Sequence, residues 1–336
     1  MAEHALVSGG SGFIGSHLCA ALLERGMAVT CLDNFSTGRR ENIAPLLADG
    51  RFRLVETDVT STDIPSLTGA EAPHYVFHLA SPASVVDYLR LPLQTLRVNS
   101  EGTYRLLEAS RSWGSRFLMA STSEIYGDPL EHPQREEYWG NVSSNGPRSC
   151  YDESKRFAEA LTAEFGRSYG LDVRTVRIFN TYGPHSRLDD GRVVPNFIGQ
   201  ALRGEPITIY GDGSQTRSFC YVSDLVAGLQ AVMLAPDQAG EVFNLGNPAE
   251  QTVLEFARLV ARIVGRGEAA IAYRPLPIDD PTRRRPDISK ARERLGWEPV
   301  VAIERGLGET VRWFQERIEA ESDLVGAGAH GHEGVR

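Results

Sequence analysis

Cysteine is scarce in this sequence, and the four residues present exclude a disulfide framework and a zinc site. Cys19, Cys31, Cys150 and Cys220 are dispersed, form no C-x-x-C pair and have no histidine at a spacing suited to zinc. We expect them to be buried apolar residues or free thiols in a reducing compartment, and we expect no metal site.

Long apolar runs and an excess of positive charge are also missing. No run approaches the ~20 residues of a membrane span, and a strand begins where a signal peptide would need an apolar segment. The 35 basic residues are outnumbered by 44 acidic ones, giving a formal charge of −9 and a pI near 5.5. These properties predict a cytoplasmic protein with neither membrane nor nucleic acid as partner, in which a few arginines can still hold an anionic small substrate.

The chain opens with a strand, a glycine-rich turn and a helix. The apolar strand His4–Ser8 passes into Gly9–Gly15 (GGSGFIG), and the helix that follows ends near Gly26. In dinucleotide-binding folds, such glycines let the backbone approach a pyrophosphate, whose charge lies at the helix N-terminus. The spacing is G-x-x-G-x-x-G rather than G-x-G-x-x-G, so the prediction depends on the flanking strand and helix.

An acidic residue after the second strand indicates which dinucleotide binds. Asp33 follows the strand Ala28–Leu32, about 20 residues beyond the glycines, where a carboxylate accepts a hydrogen bond from an adenosine ribose 2′-hydroxyl. The same charge would repel a 2′-phosphate, so NAD is favoured over NADP. Arg39 and Arg40 are close enough in sequence to weaken that preference slightly.

Strands and helices alternate through the first half of the chain. Further strands are predicted at 52–57, 75–79, 116–120 and 173–178, with a long helix at 93–111. This alternation is typical of a doubly wound parallel sheet, the Rossmann type of α/β fold, which binds ligands beyond the carboxyl ends of its strands.

Two groups of polar residues are candidates for chemistry at that rim. Ser121–Asp128 (STSEIYGD) follows the fifth strand and brings hydroxyls and the carboxylate of Glu124 to the crevice. Tyr151 and Lys155 share one helix face about 6 Å apart. A lysine cation there should lower the phenol pKa from its ordinary ~10 and create a base for a sugar hydroxyl. An isolated Y-x-x-x-K pattern is usually a chance surface pair, so this prediction depends on the surrounding fold.

The second half of the chain is more mixed. Helices are predicted at 196–202, 252–264 and 303–320, the second with Thr252 as its N-cap, and strands at 207–210 and 242–245. We therefore predict an NAD-binding domain at 1–184 and a smaller region at 185–320, which binds the substrate and returns some segments to the core. Residues 321–336 are expected to form a disordered tail.

Together these motifs resemble the extended short-chain dehydrogenase/reductases and, more narrowly, the UDP-glucuronic acid decarboxylases, also called UDP-xylose synthases. The similarity runs from about Leu6 to Glu319 and includes HLASPAS, STSEIYGDP, SCYDESKR, RIFNTYGP, DDGRVVPNF, GDGSQTRSF and DDPTRRRPDI. The family usually has paired prolines where this chain has Val85 and Val86, and glycine where it has Ser154. Neither departure touches a reacting group, so the implied chemistry is unchanged.

The resemblance implies NAD-dependent decarboxylation of UDP-glucuronate to UDP-xylose through a 4-keto intermediate, with internal return of the hydride. Tyr151 would deprotonate the hydroxyl on carbon 4, and Lys155 would hold the tyrosinate and the nicotinamide ribose. Thr122 or Ser123 would hydrogen-bond the same sugar oxygen. Because the ketone lies β to the carboxylate, carbon dioxide can leave as an enolate forms.

The resemblance also assigns contacts to the substrate and the cofactor. Glu124 would manage ring distortion and proton delivery at carbon 5, and Arg284, preferred over its arginine neighbours, would face the carboxylate. Arg192 and Arg217 would hold the diphosphate through charge-assisted contacts. The other substrate-binding candidates are Tyr88, Asn180, Val194 and Tyr210, of which Tyr210 would stack on uracil. The NAD-binding candidates are Gly9, Gly12, Phe13, Ile14, Gly15, Asp33, Asn34, Asp58, Val59, Leu79, Ala80, Asn99, Tyr151 and Lys155.

Three alternatives share parts of this pattern. Nucleotide-sugar 4,6-dehydratases resemble T-D-E at the loop where this chain has Ser123 before Glu124. A 4-epimerase usually carries a small residue at the position of Glu124 and needs no arginine for a carboxylate. Redox-sensing proteins that bind NAD without catalysis tend to lack the Tyr or the Lys. The family likeness further predicts a homodimer formed through helices near Leu93–Arg111 and Asp152–Tyr169.

Overall fold

Seven parallel strands form the centre of the structure, a computed structural model that describes residues 2–61, 63–67, 71–267, 270–276 and 283–329. The strands are β1 (His4–Ser8), β2 (Ala28–Asp33), β3 (Phe52–Glu56), β4 (Tyr75–His78), β5 (Arg116–Thr122), β6 (Val173–Ile178) and β11 (Val242–Leu245). Their order in the sheet is β11-β6-β5-β4-β1-β2-β3, which confirms the predicted doubly wound fold. Because the order reverses between β1 and β4, a crevice opens at the carboxyl ends of these two strands.

The centre of the sheet is buried on both faces, which explains the apolar run within β1. All five residues of β1 are buried. Ala5 and Val7 join the hydrophobic cluster on one face, whereas Leu6 joins the cluster on the other. This alternation follows from the two-residue repeat of a strand.

Helices cover both faces of the sheet and build the smaller region. They are α1 (Phe13–Glu24), α2 (Ile64–Leu67), α3 (Val85–Arg90), α4 (Pro92–Arg97), α5 (Thr103–Trp113), α6 (Ser149–Tyr169), α7 (Val193–Arg203), α8 (Val222–Leu234), α9 (Val253–Ile263), α10 (Ser289–Leu295) and α11 (Ile303–Ala329). Thr252 and Glu255 form a capping box at the start of α9, so the predicted N-cap is confirmed. Among the described residues, no helix is both long and apolar enough to cross a membrane.

Two predicted helix boundaries were wrong. The helix expected at 93–111 is divided into α4 and α5 by a π-helical turn, Val98–Gly102. At this turn the Thr103 hydroxyl donates to the Asn99 carbonyl at 2.8 Å, a local side-chain bond that competes with the regular helix pattern. At the other end of the chain, α11 continues past Ala320 to Ala329, into the segment expected to be disordered. Residues 330–336 lie outside the described part.

Shorter strands lie outside the main sheet, and some of them carry residues that line the crevice. They are β7 (Thr181–Tyr182), β8 (Ile207–Tyr210), β9 (Thr216–Ser218), β10 (Cys220–Tyr221), β12 (Glu250–Thr252), β13 (Ile271–Arg274) and β14 (Arg283–Arg284). In the small sheet β12-β9-β14, Arg217 of β9 is paired in register with Arg284 of β14. Distant segments thereby bring two predicted substrate-binding arginines side by side.

Candidate active site

The crevice at the carboxyl ends of the strands collects most of the predicted site residues. Those that line it are Gly9, Gly12, Phe13, Ile14, Gly15, Asp33, Asn34, Asp58, Val59, Leu79, Ala80, Tyr88, Thr122, Ser123, Glu124, Tyr151, Lys155, Asn180, Arg192, Val194, Arg217 and Arg284. Asn99 and Tyr210 do not line it. Residues at the ends of the first strands therefore line the same cavity as arginines from the second half of the chain.

The turn between β1 and α1 has the shape that a pyrophosphate requires. Gly9 adopts φ +76°, and a Cβ atom there would lie 2.7 Å from the backbone nitrogen of Ala80. A Cβ atom on Gly15 would lie 2.1 Å from the Gly9 carbonyl oxygen. No side chain caps the start of α1, so its first N–H groups remain available to an anion. These features fit the pyrophosphate of NAD.

Asp33 is held rigidly at the end of β2. It is 8% exposed, and its two carboxylate oxygens accept hydrogen bonds from the backbone N–H groups of Ser11 and Phe35, both at 2.9 Å. The carboxylate still borders the crevice, where it can accept from a ribose hydroxyl.

Arg39 and Arg40, which could weaken the preference for NAD, each lie near an acidic side chain. Arg40 pairs with Glu56 and lies over the Phe35 ring, 4.3 Å from its centroid. Arg39 lies 3.9 Å from Asp189. Acidic partners thus offset both cations, which favours a 2′-hydroxyl over a 2′-phosphate.

Tyr151 and Lys155 are both deeply buried on α6, at the wall of the crevice. They are 5% and 3% exposed. The Lys155 ammonium donates to the Ala120 carbonyl at 2.9 Å and lies 6.0 Å from the centroid of the Tyr151 ring. Burial lowers the pKa of Lys155 to about 7, although the Glu159 carboxylate one turn further along opposes the shift.

The predicted direction of the Tyr151 pKa shift was wrong for the protein alone. Burial raises this pKa to about 12, even though a hydrogen bond with Thr122 and the charge of Arg192 both favour the phenolate. The sequence pattern places the lysine beside the phenol but does not show that both groups are removed from water. Desolvation penalises the phenolate and the ammonium alike, so it weakens the expected effect at both residues.

Tyr88 adds an uncommitted hydroxyl to this part of the crevice. Its ring stacks on that of Tyr151, with centroids 5.1 Å apart and planes 6° from parallel. Its hydroxyl oxygen is buried without a hydrogen-bond partner among the described residues. Burial also raises the Tyr88 pKa far above its ordinary value, so the neutral phenol is ready to donate to a ligand.

Glu124, Arg148 and Arg284 form a charged group that we call the arginine cluster. Both terminal nitrogens of Arg284 donate to the Glu124 carboxylate, one of them at 3.1 Å, and Arg148, which directly precedes α6, donates to the same carboxylate. Burial opposes the ionisation of Glu124, but the two guanidinium charges outweigh it and hold the Glu124 pKa at about 2. Glu124 is therefore ionised at neutral pH and, while so paired, is a poor proton donor.

A family model described as the NAD dependent epimerase/dehydratase family matches residues 5–246, which include the glycine turn, Asp33, Tyr151 and Lys155. The chain belongs to this family. NAD is its cofactor, as the glycine turn and Asp33 predicted.

Comparison with individual members of the family shows which enzymes this chain resembles in sequence and structure. UDP-glucuronic acid decarboxylase 1 from Arabidopsis thaliana is 51% identical over 321 residues, covering 96% of this chain and 72% of the relative. The enzyme of the same name from Xenopus tropicalis is 47% identical over 318 residues, covering 95% and 73%. The solved structure of UDP-glucuronic acid 4-epimerase from Bacillus cereus, with UDP-glucuronic acid and NAD, is 30% identical with a TM-score of 0.85 over 94% of this chain and 99% of that one. The resemblance predicted from the motifs is confirmed.

Two residues that were predicted to contact NAD or the substrate lie away from the crevice. Asn99 is buried behind α6, where its amide donates to the Ser154 hydroxyl at 2.9 Å. Tyr210 is 46% exposed at the end of β8, and its carbonyl accepts from Gln215 at 2.5 Å. Asn99 thus supports the helix that carries Tyr151, whereas the stacking of Tyr210 on uracil stays a prediction.

Sequence reasoning missed several charged residues of the site. Arg148 was not singled out, although it directly precedes the SCYDESK segment. Arg187 also lines the crevice and pairs with the buried Asp87 of α3 at 3.0 Å. Arg192 donates to the Ala83 carbonyl at 2.8 Å, which ties the same loop to the segment before α3. No local sequence pattern predicts these pairs, since each joins residues far apart in the chain.

Proposed function

We propose that this protein decarboxylates UDP-glucuronate to UDP-xylose through a 4-keto intermediate, with NAD regenerated in every cycle. The observation that carries the proposal is the arginine cluster beside Tyr151, in which two guanidinium groups converge on one buried carboxylate. A uronate is a sugar that brings its own carboxylate to such a position. The 51% identity to a decarboxylase over nearly the whole chain supports the same reaction.

The first step removes a proton from the hydroxyl on carbon 4. Tyr151 accepts this proton as a phenolate, after its own phenol proton has passed to solvent; the hydrogen bond with Thr122 and the charge of Arg192 favour the phenolate, and Lys155 lies 6.0 Å from the ring centroid. The glycine turn and Asp33 would hold NAD in the crevice, where it would supply the acceptor for the hydride of carbon 4 and the donor that gives it back. Tyr88, stacked on Tyr151, offers its free hydroxyl to the sugar.

The second step breaks the bond between carbon 5 and the carboxylate carbon. The electron pair of this bond moves into an enolate whose oxygen lies on carbon 4, and carbon dioxide leaves. Arg284 and Arg148 orient the carboxylate for this step and hold Glu124 at the same time. Carbon 5 then takes a proton from solvent, after which the hydride returns to carbon 4 and Tyr151 gives its proton back to the oxygen.

Dehydration or 4-epimerisation would use the same oxidation step but would keep the carboxylate carbon. The test is to incubate purified protein with NAD and UDP-glucuronate labelled with ¹³C in the carboxylate, and to follow the reaction by NMR. We expect labelled carbon dioxide and unlabelled UDP-xylose in equal amounts. Label retained in an epimerised or dehydrated uronate would contradict decarboxylation.

We also propose a homodimer formed through α4, α5 and α6. Apolar side chains lie exposed on these packed helices: Leu93 is 74%, Tyr104 50% and Phe157 52% exposed. Light scattering of the protein as it elutes from a size-exclusion column measures its mass directly, and Phe157→Arg should shift that mass towards the monomer.

We further propose a cytoplasmic location with neither nucleic acid nor membrane as partner, a proposal supported by the net charge of −9.

A further inference from the structure

One buried carboxylate next to the site has no part in the reaction described above. Asp152 follows Tyr151 on α6, is 7% exposed and does not line the crevice. Its backbone N–H donates to the Arg148 carbonyl at 3.1 Å, so it lies one helical turn from a member of the arginine cluster. Its Oδ1 atom is buried without a hydrogen-bond partner among the described residues. An ionised carboxylate without such a partner is poorly stabilised.

The charges around Asp152 come mainly from the arginine cluster. Burial and the negative charge of Glu124 raise the pKa of Asp152 to about 7, against the lowering effect of Arg148 and Arg284. The charged and titratable groups that interact with it are Glu124 after β5, Arg148 and Glu153 along α6, Arg284 of β14, Tyr88 of α3, and Cys150 and Tyr151 of α6. Glu153 is itself paired with Arg156 at 3.7 Å, so with Asp152 ionised the described part of the arginine cluster sets two guanidinium groups against the carboxylates of Glu124 and Asp152.

A uronate upsets this balance, because it adds a third carboxylate to the same two arginines. We propose that Asp152 takes up a proton when the carboxylate of UDP-glucuronate enters the arginine cluster, and gives the proton up after carbon dioxide has left. This inference rests on the proposed decarboxylation. Asp152 is then a positioning residue that compensates the charge of the substrate without touching it.

The protons balance over the cycle. Decarboxylation converts a carboxylate into neutral carbon dioxide and consumes one proton at carbon 5. Asp152 takes one proton from solvent on binding and returns it after decarboxylation, so its own net contribution is zero, and the proton at carbon 5 is drawn separately from solvent. A neutral sugar nucleotide, such as the product UDP-xylose, brings no third carboxylate and should cause no uptake.

Calorimetric titration of the NAD-loaded Tyr151→Phe variant tests the proposal, since this variant should bind UDP-glucuronate without converting it. Titrations in two buffers with different ionisation heats give the number of protons taken up. We expect close to one proton per subunit at pH 8, falling towards zero at pH 6, where Asp152 already carries its proton. UDP-xylose should give none at either pH.

Adding Asp152→Asn should abolish the uptake at pH 8, because the amide mimics the protonated acid. Uptake of one proton also makes the affinity for UDP-glucuronate fall by up to about tenfold per pH unit above pH 7, and Asp152→Asn should remove this slope. The matched control is Glu164→Gln, which deletes an exposed carboxylate further along the same helix, away from the groups that act on Asp152, and should leave uptake unchanged.

Three results would overturn the inference: no uptake with UDP-glucuronate at pH 8, equal uptake with UDP-xylose, or undiminished uptake in Asp152→Asn. The first two are read without the Asp152 variant, so the test survives if that variant folds poorly. Release of labelled carbon dioxide by the unaltered protein is measured separately. If carbon dioxide is released while the uptake is missing, the inference fails and the proposed function stands.

Discussion

Replacing Arg284 by alanine is the sharpest test of how the arginine cluster works. Arg284 is 4% exposed, donates with both terminal nitrogens to Glu124 and, in the proposed reaction, also orients the substrate carboxylate. A hydrogen bond to a charged group contributes ~1.5–3 kcal/mol. Losing one such bond in the transition state predicts carbon dioxide release that is ~10- to ~150-fold slower.

The assay compares single-turnover release of carbon dioxide with the affinity for UDP, which carries no carboxylate. We expect the Kd for UDP to change less than about threefold, since the energetic loss falls on the sugar carboxylate. Equal losses of release rate and UDP affinity would mean that Arg284 only anchors the nucleotide, and the reasoning would be refuted.

Two further variants separate the role of Arg284 from damage to the fold. Removing one partner of a buried ion pair costs ~3–5 kcal/mol of stability, so the thermal midpoint of Arg284→Ala must be measured alongside its rate. Arg284→Lys retains the charge but loses the two-pronged contact, and should recover only part of the rate. The matched control is Arg283→Ala at the exposed neighbouring position of β14, which should behave like the unaltered protein.

Three more predictions follow from the same geometry. Tyr151→Phe should abolish oxidation, seen as no NADH-like absorbance in a single turnover; unchanged turnover would refute its role as base. Gly15→Ala should weaken NAD binding at least tenfold, measured by fluorescence titration, because its Cβ would lie 2.1 Å from the Gly9 carbonyl; an unaltered Kd would contradict the close approach. Glu124 has its pKa lowered from 4.5 to about 2, so its ion pairs stabilise the fold fully above pH 4.5 and are lost as the pH falls towards 2. Denaturant unfolding of Glu124→Gln should therefore show a smaller loss of stability over that window than the unaltered protein, and an identical loss would exclude this source.

The pKa of Tyr151 shows how far a local pattern reaches. Spacing along a helix predicted correctly that Tyr151 and Lys155 share one wall of the crevice. It gave the wrong sign for the phenol because desolvation, a property of the whole fold, exceeds the effect of a lysine that is itself desolvated. A cation that binds in the crevice would lower the pKa of Tyr151 again.

The sequence by itself determined what short-range physics controls. Gly9 is required by its own φ of +76° and Gly15 by its close contact with the Gly9 carbonyl in the same turn. Thr252 caps its own helix, and the apolar β1 must be buried on both faces. From such local rules the sheet, its cofactor turn and the preference for NAD are all predictable.

Tertiary structure alone decided how the charges are paired. Glu124 and Arg284 are 160 residues apart in the chain and meet only because β14 pairs with β9 at the rim of the crevice. Arg148 and Asp152 acquire their significance from that meeting, and neither stands out in a pattern of neighbours. Ionisation depends on burial and on every charge within reach, and the chain fixes those only after it has folded.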